Sequence, residues 1–182
     1  DGEEITDLKA HEVARRGLAR TFQVYAAGGD LSVAENVMVG CFMRTRSRSL
    51  AKSSADEILA YLKLDDLADY LVSELPVAAQ KRVTMATALG TRPKLLLLDE
   101  VAAGLNPGEI EDILASIKYV HYELGVTVML IEHVMELVMK ISDRVVVLDS
   151  GQKIAEGNPQ DIAKDPAVIK AYLGERYVEE HG

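Results

Sequence analysis

The chain has 182 residues, 48% hydrophobic and 27% charged, with a formal net charge of −9. That length suits one soluble globular domain with a real core and room for a small subdomain, and the acidity argues against nucleic acid as a general partner. The single cysteine, Cys41, excludes a disulfide framework, and no apolar stretch approaches the roughly 18 residues of a membrane span.

Along the chain, residues 1–6 are expected to end a hairpin, with Asp1-Gly2 in the turn. This acidic start does not read as a signal peptide, and a first residue other than Met suggests a fragment or a processed product. Asp7 is expected to cap a short helix that runs through Arg16 and closes at Gly17. Leu18 to Gln23 reads as a short strand. From Leu31 to Ala88 the periodicity is helical: Val33, Val37 and Cys41 share one face, and Ile58, Leu59, Leu62 and Leu64 follow. Ser54 with Glu57 is expected to form a capping box for that second helix. Arg44-Thr45-Arg46-Ser47-Arg48 between them reads as a solvated basic loop.

From Lys94 the pattern alternates. Strands are expected at 94–99, 126–131 and 144–149, with helices from Gly108 to Leu124 and from Val134 to Ile141. Apolar strands alternating with helices predict a parallel sheet with helical crossovers. Ser150-Gly151 turns into a last strand, 152–155, and two small helices follow Asn158-Pro159 and Asp165-Pro166.

Chemistry concentrates where strands end. Four leucines, Leu95 to Leu98, read as a strand buried on both faces, and they stop abruptly at Asp99-Glu100. Open α/β sheets place ligands at the carboxyl ends of their strands. Gln23 closes Thr21-Phe22-Gln23, and His133 closes the run from Thr127 to Glu132. In one parallel sheet these groups would share an edge and converge on one ligand. Each alone is weak: a polar residue after a strand more often marks an ordinary turn. Together they suit a nucleotide hydrolase, which needs one acid for Mg²⁺ and one to handle water.

At this point the chain resembles the ATP-binding subunits of ABC transporters, over essentially its whole length. Thr21-Phe22-Gln23 is similar to the Q-loop, with Leu31 to Val37 as the segment after it. Leu95 to Glu100 is similar to Walker B. Ala103-Gly104-Leu105-Asn106-Pro107 resembles the D-loop in the Asn-Pro form of branched-chain amino-acid importers. Ile131-Glu132-His133 resembles the switch-histidine strand, and Ile141 to Leu148 the strand after it. The ending Ala171-Tyr172-Leu173-Gly174-Glu175 also resembles that importer subfamily.

The resemblance implies a P-loop NTPase-type α/β fold: a parallel sheet with helical crossovers plus an α-helical subdomain. It implies residues 1–25 as part of the ATPase core, 26–82 as the helical subdomain with the Q-loop exit and the start of the signature motif, and 83–182 as the C-terminal part of the core. It implies ATP and Mg²⁺ as ligands. Asp99 would hold the metal through water, Glu100 would activate the attacking water, and His133 would contact the γ-phosphate. Gln23 would touch metal or water and report to the membrane subunits, and Asn106 would lie between two ATPases. The implied partners are transmembrane permease subunits and a second ATPase subunit, with no nucleic acid. The implied location is cytoplasmic, peripheral on the inner face of the membrane.

Two departures qualify this. The 182 residues contain no Gly-x-x-x-x-Gly-Lys-Ser/Thr and no Gly-Lys pair, so the N-terminal strands and phosphate loop are expected to be missing. Backbone N–H groups and the loop Lys offset most of the triphosphate charge, so weak ATP binding and an inactive isolated chain are expected. The remaining sheet is expected to expose an edge or an apolar face. The signature pattern Leu-Ser-Gly-Gly-Gln is replaced by Leu75-Pro76-Val77-Ala78-Ala79. Pro76 removes a hydroxyl, and Ala78 and Ala79 add methyl groups where a partner's nucleotide would approach. Two alternatives stay open: a truncated, non-hydrolysing interaction module of the same fold, and an ABC-type ATPase of DNA repair or translation. Acidity, Asn106-Pro107 and the lack of coiled-coil arms disfavour the second.

Overall fold

The computed structural model describes residues 2–21 and 28–173. The chain divides into two compact units, Asp1–Glu132 and His133–Gly182.

In the first unit, α1 (Ala10–Arg15) leads into β1 (Leu18–Arg20). The helix starts later than Asp7 because the Glu12 carboxylate accepts the Lys9 N–H at 2.9 Å. Gly17, at φ 96°, ends it as expected. Residues 2–5 form no strand, so the expected hairpin is absent there.

A helical module follows: α2 (Val33–Cys41), α3 (Arg48–Tyr61) and α4 (Val77–Gly90). Val33, Val37 and Cys41 are buried on the predicted face of α2. Ser32 accepts the Glu35 N–H while the Glu35 carboxylate accepts the Ser32 N–H, a capping box. The α3 cap is Ser47, whose Oγ accepts the Leu50 N–H, and Ser54 lies inside the helix. Ala51, Ala55 and Leu59 form its buried face at four-residue spacing. Small alanines hid the first two turns from the periodicity signal. Arg44, Arg46 and Arg48 are exposed, as the solvated loop requires, but Arg44 also makes a specific contact. Its guanidinium donates to the carbonyls of Thr91 (2.6 Å) and Arg15 (3.2 Å), capping the C-terminal ends of α4 and α1 together.

The sheet is parallel, in the order β1, β2 (Leu95–Asp99), β3 (Thr127–Ile131), with α5 (Pro107–Tyr122) crossing between the last two. The register pairs Ala19 with Leu96, Leu96 with Val128 and Leu98 with Leu130. Parity therefore puts Ala19, Leu96, Leu98, Val128 and Leu130 on one face and Leu95, Leu97, Met129 and Ile131 on the other. Leu96 and Leu98 are buried, whereas Leu95 and Leu97 are half-buried and Met129 and Ile131 are each 59% exposed. The leucine strand is thus fully buried on one face, not both. Burying each of Leu96 and Leu98 contributes about 1.5–3 kcal/mol.

The second unit holds α6 (Met135–Ile141), β4 (Val145–Asp149), β5 (Gln152–Gly157), α7 (Pro159–Ile162) and α8 (Pro166–Leu173). The strand expected at 144–149 forms as β4. It pairs antiparallel with β5, Asp149 opposite Gln152. Ser150 (φ 48°) and Gly151 (φ 79°) form the left-handed two-residue turn that makes this hairpin. Among the described residues no helix is long and apolar enough to cross a membrane.

Candidate functional site

The site in the first unit is built where β2 ends. Asp99 closes the strand, and its Oδ2 accepts from Arg20 Nη2 on β1 at 2.9 Å. The Asp99 N–H donates to Thr21 Oγ1 at 3.3 Å. Glu100 follows at φ 48°, and its N–H donates to the Ile131 carbonyl at 3.0 Å. A left-handed φ at a non-glycine residue is uncommon and strained, and such strain gathers at functional sites. The turn that Glu100 opens runs to Gly104, itself at φ 76°.

The other candidates fall at helix starts. Pro76 is the N-cap of α4, with no side-chain cap bond, and Val77, Ala78 and Ala79 form its first turn. Val77 is exposed, while Ala78 and Ala79 are buried. The positive end of the helix dipole is at this position, and Pro76 offers no capping hydroxyl. Asn106 caps α5: its Oδ1 accepts the Glu109 N–H at 3.0 Å, and the Glu109 carboxylate accepts the Asn106 N–H. Pro107 occupies the first helical position.

His133 opens the second unit, just before α6, and its backbone carbonyl accepts from the Tyr172 hydroxyl. Gln23 lies outside the described residues, as do Gly174 and Glu175. In the first unit, therefore, the structure brings Asp99 and Glu100 together at one strand end.

Residues 1–103 match the family described as "ABC transporter", and residues 152–178 match "Branched-chain amino acid ATP-binding cassette transporter". The chain belongs to the ABC transporter ATP-binding family. It is 40% identical, over 96% of its own length and 74% of the relative's, to the high-affinity branched-chain amino acid transport ATP-binding protein BraF of Pseudomonas aeruginosa. It is 36% identical, over 95% and 74%, to the corresponding LivG protein of Escherichia coli K12. Its fold matches the ADP conformation of MJ1267, an ATP-binding cassette of an ABC transporter, with a TM-score of 0.80 and 30% identity over 95% of this chain and 74% of that one. Cassettes of this family are ATPases.

In this ABC cassette, sequence reasoning missed three side chains at the site: Arg20, Lys81 and Glu132. Lys81 Nζ donates to the carbonyls of Glu100 and Ala103, and Glu132 Oε1 accepts the Ala102 N–H. Burial pushes the Lys81 ammonium below its usual pKa, while the Glu132 and Glu100 carboxylates push it back up. Gln80-Lys81-Arg82 reads as an ordinary polar helix surface, so only the fold reveals the contact. Arg20 had a weak signal, since it lies one residue before the Thr21-Phe22-Gln23 motif.

The residues at the strand end fit Mg²⁺. Asp99 offers a hard oxygen donor, and a metal held largely by nucleotide oxygens needs few protein ligands.

Proposed function

We propose that this cassette is the ATP-hydrolysing subunit that powers import of branched-chain amino acids. The observation that carries the reading is Asp99-Glu100 at the carboxyl end of a central parallel strand, with Glu100 held in a left-handed turn. The names of the BraF and LivG relatives support the solute class.

Bound Mg²⁺ would offset the charge of the terminal phosphates. Asp99 would hold it through water, with Gln23 beside it. Glu100 would accept a proton from the attacking water, and His133 would stabilise charge at the γ-phosphate. The α4 start, Pro76 to Ala79, would face the nucleotide of a second ATPase subunit, and Asn106 would lie at that interface. Residues 26–82 would dock on transmembrane permease subunits, which hold the protein at the inner face of the membrane.

The test compares the 182-residue chain with the full reading frame that encodes it, assembled with its permease. Glu100→Gln should abolish steady-state hydrolysis while nucleotide stays bound. Retained turnover would remove Glu100 from its role. A full reading frame that also lacks a Gly-Lys loop and does not hydrolyse ATP would replace this reading with the non-hydrolysing module.

A further inference from the structure

The turn after β2 is gripped from two sides by side chains outside it. From α4, Lys81 Nζ donates to the Glu100 carbonyl at 3.1 Å and to the Ala103 carbonyl at 2.7 Å. From the end of β3, Glu132 Oε1 accepts the Ala102 N–H at 2.7 Å. Within the turn, Ala103 N–H donates to the Glu100 carbonyl and Leu105 N–H to the Ala102 carbonyl, both at 3.2 Å. Such a turn, opening on a left-handed glutamate, persists only if its surroundings over-determine it.

Lys81 suits the task chemically. An ammonium has donors and no acceptor, so it can bridge two carbonyls at once. Its partial burial, beside the Glu100 and Glu132 charges, makes those bonds stronger than neutral ones. It also lies only one turn from the start of α4, the segment that carries Pro76 to Ala79.

We propose that Lys81 is a positioning residue for Glu100, fixing the Glu100–Ala103 turn and coupling it to the N-terminal end of α4. The catalytic consequence rests on the function proposed above, but the clamp itself does not. An event at the start of α4 is thereby transmitted to the backbone that aims the Glu100 carboxylate. Glu132 holds the same turn through a different atom, so the turn survives loss of Lys81 in a loosened form.

Hydrogen exchange of the 182-residue chain, read by mass spectrometry, tests the clamp. In Lys81→Met, the Ala103 and Leu105 amides should exchange about tenfold faster, as expected for loss of charge-assisted bonds. Amides of α2 and the middle of α4 should not change, and Lys81→Arg should stay within about twofold of the native chain because a guanidinium has donors enough for both carbonyls. Unchanged exchange in Lys81→Met, acceleration spread over the whole unit, or no rescue by Arg would each overturn the proposal. Steady-state hydrolysis by the full reading frame with its permease tests the coupling: Lys81→Met should lower kcat about tenfold with KM within about twofold. An unchanged kcat, or a change in KM alone, would overturn the coupling. An inactive native protein would instead count against the hydrolytic function, while the exchange measurement would still decide the clamp.

Discussion

Arg20 and Asp99 are paired across adjacent strands, the guanidinium Nη2 donating to the carboxylate Oδ2 at 2.9 Å. The register aligns Arg20 with Leu97, so Asp99, two residues on, lies on the same sheet face. The side chains are 52% and 21% exposed, and a pair that open is worth about 1 kcal/mol or less. A metal ion recruited to Asp99 must compete with this contact. Arg20→Met should therefore lower the Mg²⁺ concentration needed for half-maximal nucleotide binding by up to about fivefold. A Mg²⁺ titration of the full reading frame at fixed nucleotide checks it. An unchanged or higher midpoint would mean that Arg20 assists the site rather than competing for it.

In the helical module, α2 and α4 approach each other backbone to backbone at two glycines. A Cβ added at Gly40 would stand 2.0 Å from the Thr87 carbonyl oxygen, and one at Gly90 would stand 2.8 Å from the Cys41 nitrogen. Both contacts are with backbone, so no side-chain rotation can relieve them. Gly40→Ala should cost about 2–3 kcal/mol by forcing the helices apart. For a domain of this size that is a fall in Tm of about 5–10 °C. A melt unchanged within 2 °C, about half a kcal/mol, would show that the helices can separate freely.

Local rules and tertiary placement account for what was legible in advance. Asn158, Pro159 and Pro166 act on residues next to them in the chain, so the helix starts there could be read from the sequence. The leucine run ending in Asp99-Glu100 was equally plain, because an apolar run and its polar tip are both local signals. Ser54 misled because a Ser-x-x-Glu pair fits a helix interior as well as a cap, and alanines concealed the true start at Ser47. Strand periodicity says nothing about a strand's partner, and for β4 the Ser150-Gly151 turn supplies β5. Lys81, Glu132 and Arg44 act on backbone groups 19 to 47 residues away, as in Lys81 to Glu100 and Arg44 to Thr91. No spacing in the sequence encodes such contacts.

Glu156 on β5 should make the β4–β5 hairpin sensitive to acid. A hydrogen bond from Lys153 at 2.9 Å lowers its pKa below the ordinary 4.5, helped by the charges of Lys153 and Arg144. A depressed carboxylate pKa adds stability above the unfolded value and loses it as pH falls through the folded one. The hairpin should thus hold at neutral pH and loosen below about pH 4.5. Lys153→Met should raise the Glu156 pKa and move the loosening to higher pH, readable from side-chain NMR titration. An unmoved titration would mean that Lys153 does not hold the carboxylate in solution.

Glu100 has two separable properties, a carboxylate and a strained backbone at φ 48°. Holding an L-residue in the left-handed region costs about 1–2 kcal/mol, which glycine avoids at a smaller entropic cost. Glu100→Gly should therefore stabilise the fold by about 0.5–1 kcal/mol while losing hydrolysis. Glu100→Gln keeps the strain, so it should lose hydrolysis at nearly unchanged stability. Denaturant unfolding of the two variants, beside the native chain, tests the separation. Equal stability in all three would mean that the Lys81 and Glu132 contacts, not relief at Glu100, set the free energy of the turn. A less stable Glu100→Gly would mean that the glutamate side chain itself anchors the strand end, and that its orientation is held by packing rather than by backbone strain.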